Sequence, residues 1–155
     1  MKKLKVLDLF SGIGGFSLGL ERTGGFETVA FCEIEKFPQK VLRKHWPEVP
    51  IFEDVRKLDA TRIGRIDCVV GGFPCQPWSV ANSERKGAED DRDLWPEMLR
   101  VITAAQPEWV IGENVRGFVN EPMGLERSIF DLEDAEYKVQ TFIVPACAVD
   151  APHRR

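Results

Sequence analysis

A cysteine between two prolines is the residue of this sequence best suited to nucleophilic chemistry. Cys75 lies in the run GGFPCQPWS, which follows a short apolar stretch. Pro74 and Pro77 restrict the backbone on both sides, so the sulfur is held in one direction, as a nucleophile requires. An arbitrary cysteine is usually a small buried hydrophobe, but a loop of glycine and proline is a poor place for core packing. We therefore predict that Cys75 is a nucleophile.

The other three cysteines lack a comparable setting. Cys32 and Cys68 lie within apolar runs, where we expect them to pack as small core residues, and Cys147 stays unassigned. None of the four has C-x-x-C spacing, so the sequence predicts neither a zinc site nor a redox dithiol. This usage is typical of a reduced compartment. We predict no metal ion.

A glutamate follows a later apolar run and is the candidate partner of the cysteine. Glu113 begins the sequence ENV at the end of that run. The carboxyl ends of parallel strands meet at one edge of a sheet, so Glu113 and Cys75 can be neighbours although they are distant in sequence. A buried glutamate there could have a raised pKa and donate or share a proton at neutral pH. A helix cap or a loop acceptor is an equally good interpretation of this residue by itself.

Three acidic or glycine-rich features precede the cysteine and predict a nucleoside site. The run DLFSGIGG, residues 8–15, places glycines where a strand turns into a helix, which lets the backbone approach a ligand. Glu33 is placed to accept hydrogen bonds from ribose hydroxyls, and Asp54 to read an adenine amino group. Each feature alone is also typical of a turn, a strand end or a cap. The combination fits a dinucleotide and S-adenosylmethionine alike.

Strand and helix patterns alternate along the chain. Apolar runs predict strands over residues 4–10, 28–33, 51–52, 66–71, 108–113 and 137–144, and helical spacing predicts helices over 16–22, from about Pro38, and over 91–105 and 125–132. This alternation predicts an α/β fold with a mostly parallel sheet and helices on both faces. The intervening segment 72–91 is long for a connection, and such loops are commonly functional.

Composition limits the class of protein. A chain of 155 residues with 43% hydrophobic and 30% charged residues predicts one globular domain. No run approaches the roughly 20 apolar residues of a membrane span, and no signal peptide is evident, so we expect a cytoplasmic protein with no membrane partner. The net charge of -4 argues mildly against nucleic-acid binding, because a surface that binds phosphates is usually positively charged.

Taken in order, the motifs resemble those of the DNA cytosine-5 methyltransferases. The run DLFSGIGG resembles the family's first cofactor motif, FCEIEKF its ribose-binding acid and EDVR its adenine-reading aspartate. GGFPCQPWS resembles the nucleophile loop, GENVRGF the glutamate motif, and the last residues, APHRR, the opening of the arginine motif. The resemblance spans essentially the whole chain and implies a Rossmann-like methyltransferase fold.

The resemblance also implies a reaction. Cys75 would add to carbon 6 of a cytosine flipped out of double-stranded DNA, and Glu113 would hold ring nitrogen 3 and the exocyclic amine. Arg155 would contact the base pocket or a phosphate, with Gln76, Ser79 and Arg116 as weaker DNA contacts. The methyl group would come to carbon 5 from S-adenosylmethionine. The residues implied to line that cofactor are Phe10, Gly12, Ile13, Gly14, Glu33, Ile34, Asp54, Val55 and Leu94.

By the same resemblance, the chain stops inside the arginine motif. We expect residues 1–155 to form an incomplete catalytic and cofactor-binding domain without the target-recognition region. A gene fragment, an engineered truncation and a split enzyme whose partner is a separate C-terminal half or subunit are all open interpretations. A further strand would lie between the fifth strand and strand 137–144, and the chain alone would methylate no DNA. Asp150 stands where the family usually has glycine, which would strain the turn if its φ is positive.

Three other interpretations use the same residues. A nucleotide-linked oxidoreductase would share the glycine loop, but it gives no reason for Pro74-Cys75 or Glu113-Asn114. A binding module without turnover remains open from sequence. Methylation of cytosine in transfer RNA is a third, and Phe73, before the Pro-Cys pair, modestly favours DNA.

Overall fold

The first strand of the chain lies at the centre of a parallel sheet. The computed structural model describes residues 2–74, 93–119 and 124–151. Within them the strands are β1 (Leu4–Leu9), β2 (Phe26–Cys32), β3 (Ile51–Phe52), β4 (Cys68–Gly71) and β5 (Trp109–Gly112). Their order is β3-β2-β1-β4-β5, and all four neighbouring pairs are parallel. The strands that follow β1 are thus added first on one side of it (β2, β3) and then on the other (β4, β5). In parallel sheets whose strand order reverses in this way, ligands bind beyond the carboxyl ends of the strands at the point of reversal.

Helices cover both faces of this sheet, as the sequence predicts. They are α1 (Gly15–Arg22), α2 (Lys36–His45), α3 (Trp95–Ala105), α4 (Arg116–Val119) and α5 (Leu125–Asp134). Pro96 lies in the first turn of α3, where its missing N–H costs nothing, and Gln106 ends that helix with a left-handed φ of 47°.

Alternate residues of the central strands pack in two separate hydrophobic clusters, one on each face of the sheet. Leu7, Leu9 and Val69 belong to a large buried cluster that includes residues of α3, namely Met98, Val101 and Ile102. Val6, Cys68 and Val70 form a smaller cluster, against which Phe16 and Leu20 of α1 pack. Side chains of a strand point alternately to its two faces, so this division follows from the continuous apolar runs of β1 and β4.

The prediction of a strand over residues 137–144 is wrong. The structure gives this segment neither helix nor strand. Phe142, Ile143 and Val144 are 74%, 84% and 69% exposed, so none of them packs in the core. A strand needs a neighbour for its backbone groups, and high β-propensity does not form one alone.

Smaller differences lie at the ends of elements. β4 begins at Cys68 instead of residue 66, and α3 begins at Trp95. The short helix α4 lies in a stretch predicted to be a loop. Asp150 has a φ of 64°, which is the strained left-handed turn expected at a position that favours glycine. Within the described ranges, no helix is long and apolar enough to cross a membrane.

Candidate active site at the carboxyl edge of the sheet

The loop after β1 is built from left-handed residues. Phe10, Gly12 and Gly14 have φ values of 53°, 52° and 89°. This conformation is ordinary for glycine but costs roughly 1–2 kcal/mol for a residue such as phenylalanine. Ser11 fixes the loop, because its hydroxyl donates to the Asp8 carbonyl at 2.6 Å and accepts from the Cys32 N–H at 3.2 Å. Strained backbone of this kind is concentrated at functional sites.

Glu33 connects the glycine loop to the end of β2. Its Oε2 accepts from the Gly12 N–H and its Oε1 from the Glu35 N–H, both at 2.7 Å. The side chain is buried, with only 8% of the residue exposed. Each carboxylate oxygen has two lone pairs, so these two bonds leave acceptor capacity for a ligand. Glu33 therefore shapes the loop and remains able to bind hydroxyl groups.

Asp54 begins the turn that follows β3. Its Oδ1 accepts from the Arg56 N–H at 3.0 Å and caps a short 3₁₀ helix, Val55–Lys57. This is the capping role that an isolated aspartate commonly has. The same carboxylate also lies in the wall of a pocket, so the structural role and a binding role are compatible here.

A pocket opens where β1, β2 and the β3 turn end. Six of the nine predicted cofactor residues line it, and its full lining is Phe10, Cys32, Glu33, Ile34, Glu53, Asp54, Val55, Arg56, Pro74 and Leu94. The walls combine apolar side chains with three carboxylates and one guanidinium. The 61% exposure of Ile34 leaves an apolar surface free beside these acids. Apolar walls with a few placed polar groups are typical of small-molecule sites.

The remaining three predicted cofactor residues, Gly12, Ile13 and Gly14, do not line this pocket. Ile13 is 61% exposed, on the same loop. Gly14 is buried for a packing reason, because a Cβ there would lie 2.7 Å from the Trp46 ring and 3.0 Å from Leu42. We predict that Gly14 binds the cofactor, but the structure also gives this glycine a packing role. Without a side chain at position 14, α2 can lie close to the loop.

The ends of β4 and β5 meet beside the pocket. The Glu113 N–H donates to the Gly71 carbonyl at 3.0 Å, and the Asn114 side chain donates to the Phe73 carbonyl at 3.3 Å. A Cβ on Gly72 would lie 3.0 Å from Glu113 Oε2, so the carboxylate lies directly against this glycine. Glu113 is exposed, so it is not the buried glutamate that the sequence interpretation describes. Pro74, three residues beyond Gly71, lines the pocket.

Several predicted residues fall outside the described ranges. These are Cys75, Gln76, Ser79 and Arg155. Arg116 is described, and it lies exposed at the start of α4.

The buried thiols of the two strand cysteines fit the predicted core role. Burial is the main cause that raises the pKa of Cys32 to about 12, with further contributions from the charges of Asp54 and Glu33. Burial likewise raises the pKa of Cys68 to about 11, with Asp67 adding to it. Burial thus favours the neutral thiol in both residues, which suits a packing role better than that of a nucleophile.

Asp8 is a buried acid beneath the loop. It accepts from the Ser17 hydroxyl at 2.7 Å through Oδ2, while Oδ1 has no hydrogen-bond partner among the described residues. Burial raises the pKa of Asp8 from 3.8 to about 7, against the lowering effect of the bonds from Ser17 and Ser11. At neutral pH this carboxyl is therefore near its titration midpoint, which is unusual for an aspartate.

The Asp8 carboxyl should make stability depend on pH. The folded protein retains a proton that the unfolded chain releases between pH 3.8 and about pH 7, so the free energy of unfolding falls as the pH rises through this window. Asp8→Asn stays neutral and keeps an acceptor for Ser17. We expect it to gain stability over the wild type as the pH rises from 4 to 7, by up to about 1.4 kcal/mol per unit. Urea denaturation at several pH values measures this, and parallel curves for the two proteins would contradict it.

Comparison with known proteins decides the family. A sequence model described as C-5 cytosine-specific DNA methylase matches residues 4–155. The chain belongs to the C-5 cytosine-specific DNA methylase family. This membership accounts for the Pro-Cys and Glu-Asn pairs, which the oxidoreductase interpretation left unexplained.

Relatives of this methylase chain are considerably longer. The type II methyltransferase M.HgiBI of Herpetosiphon aurantiacus is 37% identical over 142 residues, which make up 90% of this chain and 32% of that protein. The orphan methyltransferase M.SPRI of Bacillus phage SPR is 41% identical over 80% of this chain and 29% of its own length. The methylase chain thus spans about a third of the length of these relatives.

Solved structures share the fold of the methylase chain. A crystal structure named as a DNA modification methyltransferase encoded within an E. coli prophage has a TM-score of 0.70 and 29% identity, over 85% of this chain and 38% of that one. A structure of Spodoptera frugiperda DNMT2 has a TM-score of 0.68 and 25% identity, over 85% of this chain and 41% of that one. These likenesses confirm the predicted Rossmann-like methyltransferase fold.

Sequence reasoning missed four pocket residues of the methylase. They are Cys32, Glu53, Arg56 and Pro74. Each lies within two positions of a predicted site residue, Glu33, Asp54 or Cys75. Closeness in sequence to these residues is therefore the one sequence feature that indicates them. Side-chain direction at these positions depends on the bend of each strand end, which residue type alone does not give.

Proposed function

We propose that residues 1–155 act as one domain that holds S-adenosylmethionine and supplies the nucleophile for methylation of carbon 5 of cytosine in DNA. One observation carries the proposal. Pro74, the residue before Cys75, lines the same pocket as Glu33 and Asp54. This supports a single site in which the residue that leads into Cys75 lies beside acceptors suited to a nucleoside.

The pocket residues fit the proposed cofactor. Phe10, Ile34 and Leu94 provide apolar surface for a flat base, and Glu33 and Asp54 provide acceptors for ribose hydroxyls and an amino group. The three carboxylates of the wall outnumber its one guanidinium, that of Arg56, so the wall suits a cationic ligand better than a phosphate-bearing one. This last point favours S-adenosylmethionine over a dinucleotide.

The chemistry assigned to the chain's own residues is covalent catalysis. The Cys75 thiolate adds to carbon 6 of a cytosine flipped out of duplex DNA, which makes carbon 5 electron-rich. Glu113 binds ring nitrogen 3 and shares a proton with it, so that charge does not build up on the ring. S-adenosylmethionine, when bound, supplies an electrophilic methyl group. Loss of the carbon 5 proton then releases Cys75.

Substitution of Glu33 tests the cofactor site. Glu33→Gln keeps the size of the side chain and one oxygen acceptor but loses the negative charge. Charged hydrogen bonds contribute about 1.5–3 kcal/mol, so we expect S-adenosylmethionine to bind roughly 10- to 100-fold more weakly. Isothermal titration calorimetry measures the affinity, and circular dichroism checks that the fold persists.

Glu35→Gln is the matched control for this substitution. The Glu35 side chain is exposed, and only its backbone N–H contacts Glu33. We expect its affinity for S-adenosylmethionine to equal that of the wild type. Binding of NAD in place of S-adenosylmethionine by the wild-type chain would refute the proposed cofactor, and equal losses in both variants would refute the role of Glu33.

A further inference from the structure

Helix α5 is tied to the pocket wall although none of its own residues is in the pocket lining. Arg127 Nη1 donates to Asp93 Oδ2 at 2.7 Å, and the Asp93 side chain is only 3% exposed. One turn further along α5, Asp131 Oδ2 accepts from the Trp95 indole N–H at 2.7 Å. Two contacts from one helix therefore hold the residues on either side of Leu94.

Leu94 is the pocket residue between these two contacts. It lines the pocket and directly precedes α3. The backbone on its two sides is further fixed because Asp93 Oδ1 accepts from the Trp95 N–H at 3.2 Å. Both carboxylate oxygens of Asp93 therefore accept a hydrogen bond, one from the backbone N–H of Trp95 and one from the side chain of Arg127.

The same group of residues also contacts the residue before Pro74, a second member of the pocket lining. The Phe73 and Trp95 rings pack with their centroids 5.2 Å apart. Phe73 precedes Pro74, which lines the pocket as Leu94 does. Aromatic pairs of this geometry contribute to packing beyond simple burial. Pro74 and Leu94 are therefore held by one connected set of contacts.

We propose that Arg127 is a positioning residue, which holds Leu94 in the cofactor pocket through Asp93 and Trp95. The inference rests on the proposed binding of S-adenosylmethionine. Removal of the guanidinium leaves Asp93 as a charge without its partner in a buried place, and such a group moves toward water. That movement would carry Leu94 out of the pocket wall.

Binding and amide exchange test the proposal together. We expect Arg127→Met and Asp93→Asn each to bind S-adenosylmethionine about tenfold more weakly by calorimetry, equivalent to about 1.4 kcal/mol. Arg127→Lys keeps the charge, and we expect it to recover most of the affinity. Hydrogen–deuterium exchange at the Trp95 amide should speed up in Arg127→Met, whereas amides of β1 should stay protected.

Tyr137→Phe is the control for general loosening near α5. The Tyr137 hydroxyl donates to the Pro107 carbonyl at 2.8 Å, and neither residue is in the pocket lining. We expect it to lower the melting temperature while the affinity for S-adenosylmethionine is unchanged. An equal loss of affinity in Tyr137→Phe, or no recovery in Arg127→Lys, would overturn the proposal.

The outcomes also separate this inference from the proposed function. If the wild-type chain binds no S-adenosylmethionine, the proposed function is wrong, and exchange at the Trp95 amide still tests the contact of Arg127 with Asp93. Unchanged exchange in Arg127→Met would overturn the inference even if the wild type binds the cofactor. Should Arg127→Met fail to fold, Asp93→Asn decides, since it keeps the acceptor for the Trp95 N–H.

Discussion

Replacement of Cys75 by serine is expected to abolish methyl transfer to cytosine. A hydroxyl is a far weaker nucleophile than a thiolate at neutral pH, so addition to carbon 6 would fail. Loss of a catalytic nucleophile typically lowers the rate by roughly 10⁴-fold or more. The measurement is transfer of a labelled methyl group to duplex DNA by this chain, alone and together with a polypeptide that supplies the remaining length of a relative.

A covalent adduct gives a second measure of the same prediction. DNA that contains 5-fluorocytosine blocks the loss of the group at carbon 5, so the enzyme should remain attached to it through Cys75. Mass spectrometry locates the attachment. Cys147→Ser is the control, because this cysteine is exposed and has no assigned role. An adduct at Cys32, Cys68 or Cys147, or one that persists in Cys75→Ser, would disprove the assignment.

Glu113→Gln is expected to lower methyl transfer by roughly 10²- to 10⁴-fold, the usual contribution of a positioned acid or base. The amide keeps the length of the side chain, so it can still form a hydrogen bond to the ring, but it holds no proton to share. The Glu113 N–H bond to Gly71 involves only the backbone and should survive. Affinity for S-adenosylmethionine should therefore be unchanged, which separates a catalytic loss from a folding defect.

Glu108→Gln offers the matched control at the other end of β5. Glu108 is exposed just before the strand, away from its carboxyl end. We expect it to retain the methyl-transfer rate of the wild type. If Glu108→Gln and Glu113→Gln lose activity equally, net charge and not a specific contact is responsible, and the role proposed for Glu113 fails.

The sequence predicted the sheet well where strands are buried on both faces. β1 differs from the predicted run 4–10 by one residue at its end, and the buried strand β4 ends at Gly71, as predicted. Continuous apolar runs bounded by glycine and acidic residues are strong signals for parallel strands, because both faces of such strands must be covered. Six of the nine predicted cofactor residues line the pocket, since the ends of parallel strands fall at one edge.

The predictions that failed concern features that depend on contacts between residues distant in sequence. Residues 137–144 have the composition of a strand, but their backbone groups have no neighbouring strand in the described sheet, so no strand forms. The packing of Gly14 against Trp46 and the ion pair of Arg127 with Asp93 join positions that are 32 and 34 residues apart. The local spacing of residue types in the sequence does not predict such contacts.

The order of strands sets the order in which the site can assemble during synthesis. β1 leaves the ribosome before the other described strands, yet it lies between β2 and β4 at the centre of the sheet. β2 and β3 follow within the first 52 residues, so the bond between Gly12 and Glu33 can form early. The other side of β1 must wait until Cys68–Gly71 has been made. Glu33 and Asp54 are synthesised before Pro74 and Cys75, so the proposed ligand acceptors can take their places before the proposed nucleophile has been made.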